Sequence, residues 1–224
     1  MAFHDANPRY FRKAMVEVRG ITKRYGAGGR RAEGAVTTAL DGVSFTVAEG
    51  EFVGIMGPSG SGKSTLLNCL ATIDAPTSGT ITIGGTDISR LRGKELSRFR
   101  RDDLGFIFQD ANLLDTLTAF ENIALALTIQ KAPVREIEAR VNAAAHQLGI
   151  FEVLGKYPYQ LSGGQRQRVA AARATVTHPK LVLADEPTGA LDSRSARQLL
   201  ESLETLNRAG ATIFMVTHDS TSAS

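Results

Sequence analysis

A glycine-rich turn constrains the fold of this 224-residue chain more than any other segment. The turn lies between a predicted strand, Phe52–Met56, and a predicted helix that starts at Ser64. Its glycines let successive backbone N–H groups point toward a phosphate, and the helix N-terminus adds a positive dipole end. Lys63 supplies a cation for the β- and γ-phosphates, and the Ser64 hydroxyl can bind Mg²⁺. The predicted phosphate-binding residues are Gly57, Pro58, Ser59, Gly60, Ser61, Gly62, Lys63, Ser64 and Thr65.

Apolar runs of strand length on both sides of this turn predict a β-rich core. Two helices are also predicted, one from Ser64 and one after Gly164. Between the later strands the spacing of apolar residues becomes helical over roughly fifty residues, which indicates a helical insertion. The predicted strands are Val16–Val18, Val43–Val47, Phe52–Met56, Thr80–Ile83, Phe106–Phe108, Leu181–Ala184 and Thr212–Val216. The apolar faces of the first helix and of the insertion are Leu66, Leu67, Leu70 and Ile73, and Ile137, Val141, Ala145 and Leu148.

Two carboxylates follow the apolar run Leu181–Ala184. Four consecutive apolar residues are typical of a strand that is buried on both faces. Asp185 at its end can hold Mg²⁺ through water, and Glu186 can orient and deprotonate an attacking water. By itself this pair is equally compatible with a solvated turn, and the glycine turn by itself could lack a ligand. The complete G-x-x-x-x-G-K-[ST] pattern together with the carboxylates favours nucleotide hydrolysis.

A second turn, with the sequence LSGGQ, precedes the later predicted helix and can bind an anion. Ser162, Gly163, Gly164 and Gln165 form another helix N-terminus of this kind. One nucleotide held by one phosphate-binding turn does not need a second. A head-to-tail dimer explains it, because the turn of one copy can cover the γ-phosphate bound by the other. The alternative, a glycine-rich helix cap, does not account for all five residues.

With these motifs in order, the sequence from Met15 onward resembles the ABC ATPase family, and LSGGQ matches the family signature. The resemblance implies that Tyr25 stacks on adenine, that Gln109 contacts Mg²⁺ and water, and that His218 contacts the γ-phosphate. It also places Asp192 in the D-loop, at the nucleotide site. The implied catalytic residues are Glu186, His218 and Gln109, and the implied Mg²⁺ ligands are Ser64, Gln109 and Asp185.

The resemblance also implies an α/β fold. Its parts are a P-loop NTPase (RecA-like) core, an antiparallel β subdomain, and an α-helical subdomain inserted at about 110–162. An N-terminal extension is expected at 1–14 and the ABC ATPase domain at 15–224. Relatives in this family usually continue with further strands and a helix, so the C-terminal end is expected to be truncated.

The resemblance further implies ATP and Mg²⁺ as cofactors, a second copy of the chain and a membrane permease as partners, and a place at the cytoplasmic face of the membrane, peripheral through that permease. The segments 71–79 (ATIDAPTSG) and 112–118 (NLLDTLT) are similar to the bacitracin-export type of the macrolide-export and lipoprotein-release branch. That type suggests resistance to antimicrobial peptides and a sensor kinase reached through the permease. Lipoprotein-release, macrolide-export and cell-division ATPases of the same branch stay open, as does a non-transport ABC ATPase.

Composition and apolar spacing add three expectations. The formal charge of +3 is too small to indicate a nucleic-acid partner. Cys69 lies among leucines and is predicted to be a buried, unreactive thiol. The apolar residues of 113–120 recur at three- and four-residue spacing, which predicts either a docking surface for a permease helix or the core of the insertion. They are Leu113, Leu114, Leu117 and Phe120.

Overall fold

The computed structural model describes residues 13–26 and 36–218, and in these ranges the strands form two sheets. The first sheet is antiparallel, with the strand order β2-β1-β4-β5, and the second is parallel, with the order β3-β8-β7-β6. Every predicted strand overlaps one of these, and only the two-residue β5 was not predicted. The strands are β1 (Ala14–Tyr25), β2 (Thr37–Ala48), β3 (Phe52–Met56), β4 (Ser78–Ile83), β5 (Thr86–Asp87), β6 (Leu104–Phe108), β7 (Leu181–Asp185) and β8 (Ile213–Thr217).

Six α-helices lie in the same ranges, and none of them is long and apolar enough to cross a bilayer. The predicted N-terminal extension falls outside the described residues, apart from its last two positions. Two of the helices, α3 and α4, lie between β6 and α5, where the helical insertion is predicted. The helices are α1 (Lys63–Leu70), α2 (Gly93–Asp103), α3 (Ala119–Ile129), α4 (Val134–Gln147), α5 (Gly163–Thr175) and α6 (Ser193–Arg208).

The prediction for α1 is wrong at its last residue. Leu66, Leu67 and Leu70 are buried as expected, but Ile73 lies beyond the end of the helix and is 59% exposed. The chain turns at Thr72, whose φ of +57° leaves the helical region. The helical spacing in the sequence therefore continues three positions beyond the end of the helix at Leu70.

The two central strands of the parallel sheet, β7 and β8, are buried on both faces, as the apolar run Leu181–Ala184 predicts. Alternate residues of β7 face opposite cores: Val182 and Ala184 pack with the helices α3–α6, whereas Leu181 and Leu183 pack with α1 and the antiparallel sheet. The strand β8 alternates in the same way. The antiparallel sheet and the helical bundle are thus held together by the one sheet that both of them cover.

The four parallel strands end at one edge of that sheet. Met56 of β3 pairs with Thr217 of β8, next to the carboxyl end of each strand. Asp185 of β7 pairs with Val216 on one side and with Phe108 of β6 on the other. The segments that follow these strands carry the predicted phosphate-binding turn and most of the predicted catalytic side chains. Open α/β sheets bind their ligands at this edge.

The segment before α3 is a turn, so the apolar residues of 113–120 do not lie along one helix, and Leu113 and Phe120 pack partly buried against the core of the helices, as the second alternative predicts. Asn122 is fully buried in α3, and its side-chain amide donates to the carbonyls of Leu114, Leu117 and Thr118. Its Oδ1 accepts from the Leu114 N–H, so the side chain satisfies the backbone groups of the turn. Leu114 remains 48% exposed.

The buried thiol of Cys69 gives a first test of this packing. Burial raises the pKa of Cys69 to about 11, so at pH 8 only about one thiol in a thousand is ionised. We expect iodoacetamide at pH 8 to leave the folded protein unlabelled and to label Cys69 fully after unfolding in guanidinium, as read by mass spectrometry. Labelling of the folded protein at the rate of an exposed thiol would contradict the burial.

Candidate active site

The phosphate-binding turn encloses its lysine. Lys63 is 7% exposed, and its Nζ donates to the carbonyls of Gly57 and Pro58 at 2.6 and 2.9 Å. Within the described residues no carboxylate pairs with it. A buried ammonium group without a counter-charge favours an anionic ligand. No side chain caps the first N–H groups of α1, so these donors also point to an anion.

Glycine is required where this turn enters α1. Gly62 has φ +87°, a conformation that other residues rarely adopt. A Cβ atom there would lie 2.4 Å from the Ala39 carbonyl of β2, which is backbone and cannot rotate away. The turn therefore packs directly on the antiparallel sheet, and this contact helps to fix where its N–H groups point.

Glu186 and His218 meet beside Lys63. The Nε2 atom of His218 lies 2.5 Å from Oε1 of Glu186, and its Nδ1 atom lies 3.2 Å from the Gly57 carbonyl and 3.4 Å from Nζ of Lys63. A neutral ring accepts from Lys63 at Nδ1, whereas a protonated ring donates to Gly57; in both states Nε2 can donate to the carboxylate. Side chains from segments that follow three separate strands thus form one connected group.

The backbone around Glu186 is held in an uncommon conformation. Its φ is +46°, in the left-handed region, and its N–H donates to the Val216 carbonyl of β8 at 2.9 Å. Its own carbonyl accepts from the Gly189 N–H at 2.9 Å. Such backbone conformations persist where the surrounding structure determines them, and they are frequent at functional sites.

Asp185 fits the role of a magnesium ligand. Burial, and then the charge of Glu186, raise the pKa of Asp185 above its ordinary value, so a cation nearby would stabilise its ionised form. In the described part of the chain no cluster of three or more His, Cys, Asp or Glu side chains could hold a metal. Mg²⁺ commonly uses one or two carboxylates together with substrate phosphates. Ser64 on α1 and Gln109 after β6 are the other residues that would hold it.

Two side chains of α5 hold the loop that carries Gln109, and the sequence analysis missed both. The side-chain amide of Gln167 donates to the carbonyls of Phe108 and Gln109. The guanidinium of Arg173 donates to the carbonyls of Ala111 and Asn112 at 2.8 and 2.7 Å. Neither residue stands out in the sequence, because α5 also carries Gln165, Arg166 and Arg168. The Gln109 side chain itself lies beside Gly189, in the turn after Glu186.

Tyr25 lies at the end of β1, apart from the group around Lys63. Its hydroxyl donates to Asp74 at 2.9 Å, and the Lys23 ammonium lies 5.0 Å from the centre of its ring. The Thr65 hydroxyl of the phosphate-binding turn also interacts with the phenol. Tyr25 is therefore connected to the phosphate-binding turn, although 41% of the residue remains exposed.

The LSGGQ turn forms a second group with the segment before α6. Ser162 caps α5: its hydroxyl accepts from the Gln165 N–H, and its own N–H donates to the Gln165 side chain. Gly164 lies against Ser195, and Asp192 caps α6 by accepting from the Ser195 N–H. Within residues 13–26 and 36–218, no hydrogen bond or ion pair joins this group to Lys63, Glu186 or His218.

The matches to known proteins identify the family. The profile of the ABC transporter family matches residues 40–189, which include the phosphate-binding turn, the LSGGQ turn and both carboxylates. The chain belongs to the ABC transporter family. Within this family it is an ATP-binding subunit with ATPase activity, and its α/β fold is that of the ABC cassette.

Three relatives of this ABC cassette bear on its place in the family. It is 50% identical to the bacitracin export ATP-binding protein BceA of Halalkalibacterium halodurans over 212 aligned residues. The alignment covers 94% of this chain and 82% of that protein. It is 45% identical to the macrolide export ATP-binding/permease protein MacB of Hyphomonas neptunium, over 92% of this chain and 31% of that protein. The dimeric post-hydrolysis structure of the ATP-binding cassette MJ0796, bound to ADP and Pi, has a TM-score of 0.80 at 41% identity and covers 93% of this chain and 90% of that chain.

A comparison of two similar helix caps can distinguish an effect on stability from an effect on activity in this cassette. Ser162 on α5 and Thr118 on α3 both form capping boxes, with Gln165 and Glu121 respectively. We expect Ser162→Ala and Thr118→Ala each to lower the free energy of unfolding by about 1 kcal/mol, because each leaves N–H groups of a helix end uncapped. Only Ser162→Ala should abolish ATP turnover. Urea unfolding and a phosphate-release assay measure the two effects, and equal losses of activity would mean that Ser162 is a helix cap alone.

Proposed function

We propose that this chain binds Mg-ATP with the residues predicted from its sequence, and that it hydrolyses ATP to drive a membrane permease. The supporting observation is the connected group of Lys63, Glu186 and His218 at the carboxyl edge of the parallel sheet. A cation, a general base and a histidine that can contact the γ-phosphate are the groups that hydrolysis of a phosphoanhydride requires. They come from the ends of three neighbouring strands, so their association follows from the fold.

In the proposed reaction Lys63 moves from the carbonyls of Gly57 and Pro58 to the β- and γ-phosphate oxygens of ATP. Glu186 accepts a hydrogen bond from the attacking water and then its proton, and His218 orients the carboxylate and contacts the γ-phosphate. Ser64, Asp185 and Gln109 would hold Mg²⁺, which when bound neutralises negative charge on the phosphates.

A second copy of the chain completes the proposed site. Ser162–Gln165 form an anion-receptive helix N-terminus that contacts none of the catalytic side chains of its own chain among the described residues. In a head-to-tail dimer this turn, with Asp192 beside it, would cover the γ-phosphate bound by the partner. The dimeric cassette MJ0796 supports this arrangement. ATP would then hold the two copies together, and hydrolysis would release them.

The proposed physiological role is export of, or resistance to, an antimicrobial peptide such as bacitracin. The permease would hold the chain at the cytoplasmic face of the membrane, and Leu114 would lie in the surface that docks on it. A sensor kinase would be an indirect partner, connected to this chain through the permease. The match to BceA supports this substrate class, and the match to MacB supports macrolide export as the second candidate. A nucleic-acid partner is not part of the proposal.

Exchange of the general base tests the catalytic assignment. We expect Glu186→Gln to retain ATP binding, to lower turnover about 10²- to 10⁴-fold, and to accumulate an ATP-bound dimer, because the amide cannot accept the proton from water. Size-exclusion chromatography with ATP and a phosphate-release assay measure these outcomes. In the control Lys63→Ala, the stabilisation of the fold by ATP should be lost. A monomeric Glu186→Gln protein that still hydrolyses ATP would refute the assignment.

The same exchange tests the substrate class in cells that depend on this chain and its permease. We expect Glu186→Gln to lower the inhibitory concentration of bacitracin several-fold and to leave that of a macrolide unchanged, because transport requires turnover. Susceptibility assays with both antibiotics provide the measurement. Sensitisation to the macrolide alone would favour the second candidate.

A further inference from the structure

Three side chains form a small network at the end of β1, outside the group of catalytic residues. Asp74 accepts from the Tyr25 hydroxyl at 2.9 Å through one carboxylate oxygen and pairs with Lys23 at 2.5 Å through the other. Lys23 also donates to the Ala75 carbonyl at 2.8 Å, and its ammonium lies 5.0 Å from the centre of the Tyr25 ring. Both carboxylate oxygens are therefore used, and one face of the ring is occupied by a cation.

The network is attached to the helix that the phosphate-binding turn opens. The Asp74 N–H donates to the Asn68 carbonyl of α1 at 3.2 Å. Further along the same segment, the Thr77 N–H donates to the Thr22 carbonyl of β1 at 2.7 Å. Asp74 thus stands on a short segment that is bonded to α1 at one end and to β1 at the other, which fixes its carboxylate relative to the phosphate-binding turn.

The charge states favour this arrangement at neutral pH. The hydrogen bond from Lys23 is the largest cause that lowers the pKa of Asp74, so the carboxyl group is ionised. Burial, and then the bond to Asp74, raise the pKa of Tyr25, so the phenol keeps the proton that it donates. A hydrogen bond from a neutral hydroxyl to a carboxylate is stronger than one between neutral groups.

We propose that Asp74 is a positioning residue for the nucleotide base, acting through the Tyr25 hydroxyl to hold the ring with one face open for stacking. This inference rests on the proposed function, in which Tyr25 stacks on adenine. Lys23 covers one face of the ring, so a base must use the other. An exposed aromatic ring at a strand end loses rotational freedom when a base stacks on it, and a ring that is already anchored loses less. The cation on the far face also draws electron density from the ring.

The test separates positioning of the base from support of the fold. Binding of ATP and of inorganic tripolyphosphate, which lacks a base, is measured by titration calorimetry with the full chain. The variants are Asp74→Ala, Tyr25→Phe and the double variant. Tyr25→Phe keeps the stacking face and the Lys23–Asp74 ion pair but removes the anchoring hydroxyl. The control is Asp87→Ala, because Asp87 is also ion-paired, to Arg90, and its side chain is as exposed as that of Asp74, at 30%.

We expect Asp74→Ala and Tyr25→Phe each to weaken ATP binding about three- to tenfold, in the range of one hydrogen bond. The double variant should be no weaker than Tyr25→Phe alone, because without the hydroxyl Asp74 has no bond through which to hold the ring. Binding of tripolyphosphate should be unchanged in all of them, and Asp87→Ala should resemble the natural chain with both ligands.

Three results would overturn the inference. They are unchanged ATP binding in Tyr25→Phe, additive effects in the double variant, and an equal loss of tripolyphosphate binding, which would mean that Asp74 supports the phosphate-binding turn. If the unmodified chain bound tripolyphosphate but gained nothing from the base, Tyr25 would not be a stacking residue. If it bound neither ligand, the proposed function itself would fail.

Discussion

The parallel pairing of β3, β8, β7 and β6 is the constraint on which the rest of the site depends. In parallel strands every carboxyl end lies at the same edge, so four segments that are far apart in the sequence leave the sheet side by side. The register brings Asp185 level with both Val216 and Phe108. Because side chains alternate between two different cores, a slip by one residue would exchange Leu183 with Ala184 and spoil the packing on both faces. The packing of the core therefore fixes where the segments that carry the catalytic side chains leave the sheet.

Close packing of small residues connects this sheet to α5. Gly105 of β6 lies so near α5 that a Cβ atom there would be 2.2 Å from the Ala174 carbonyl. The alanines of α5 let the helix approach the sheet, and Gln167 and Arg173 then reach the backbone carbonyls of the loop after β6. The helix that begins at the LSGGQ turn thus holds the loop of Gln109 at four carbonyls.

The site consists of two groups of residues with different requirements. Within a single chain His218 lies between Glu186 and Lys63, and among the described residues the Lys63 ammonium has no paired carboxylate, so it favours an anion. Ser162 and Gln165 satisfy each other in a capping box, so they fold correctly without contact with the first group. In the proposed dimer a second copy completes a site that is divided in this way, and its two parts would meet on binding. The anchoring of Tyr25 by Asp74 adds a third position that is ordered before the ligand arrives.

Much of the fold and of the candidate site follows from local sequence. The strands, α1, α5 and the insertion are visible as apolar periodicity, and Lys63, Asp185 and the LSGGQ turn are visible as patterns with a physical reason for each residue. Periodicity failed where a local turn interrupts it: Ile73 continues the spacing of α1 beyond the turn at Thr72, and buried Asn122 bonds the segment before α3 into a turn. Gln167, Arg173 and Asp74 carry no pattern of their own, because their roles depend on carbonyls and a hydroxyl supplied by distant segments.

The sequence by itself determined which chemistry the chain can perform, since a phosphate-binding turn and a strand-end carboxylate are local features. Only the tertiary structure decided which residues orient that chemistry, because orientation depends on hydrogen bonds between segments that become neighbours through the parallel pairing of the sheet.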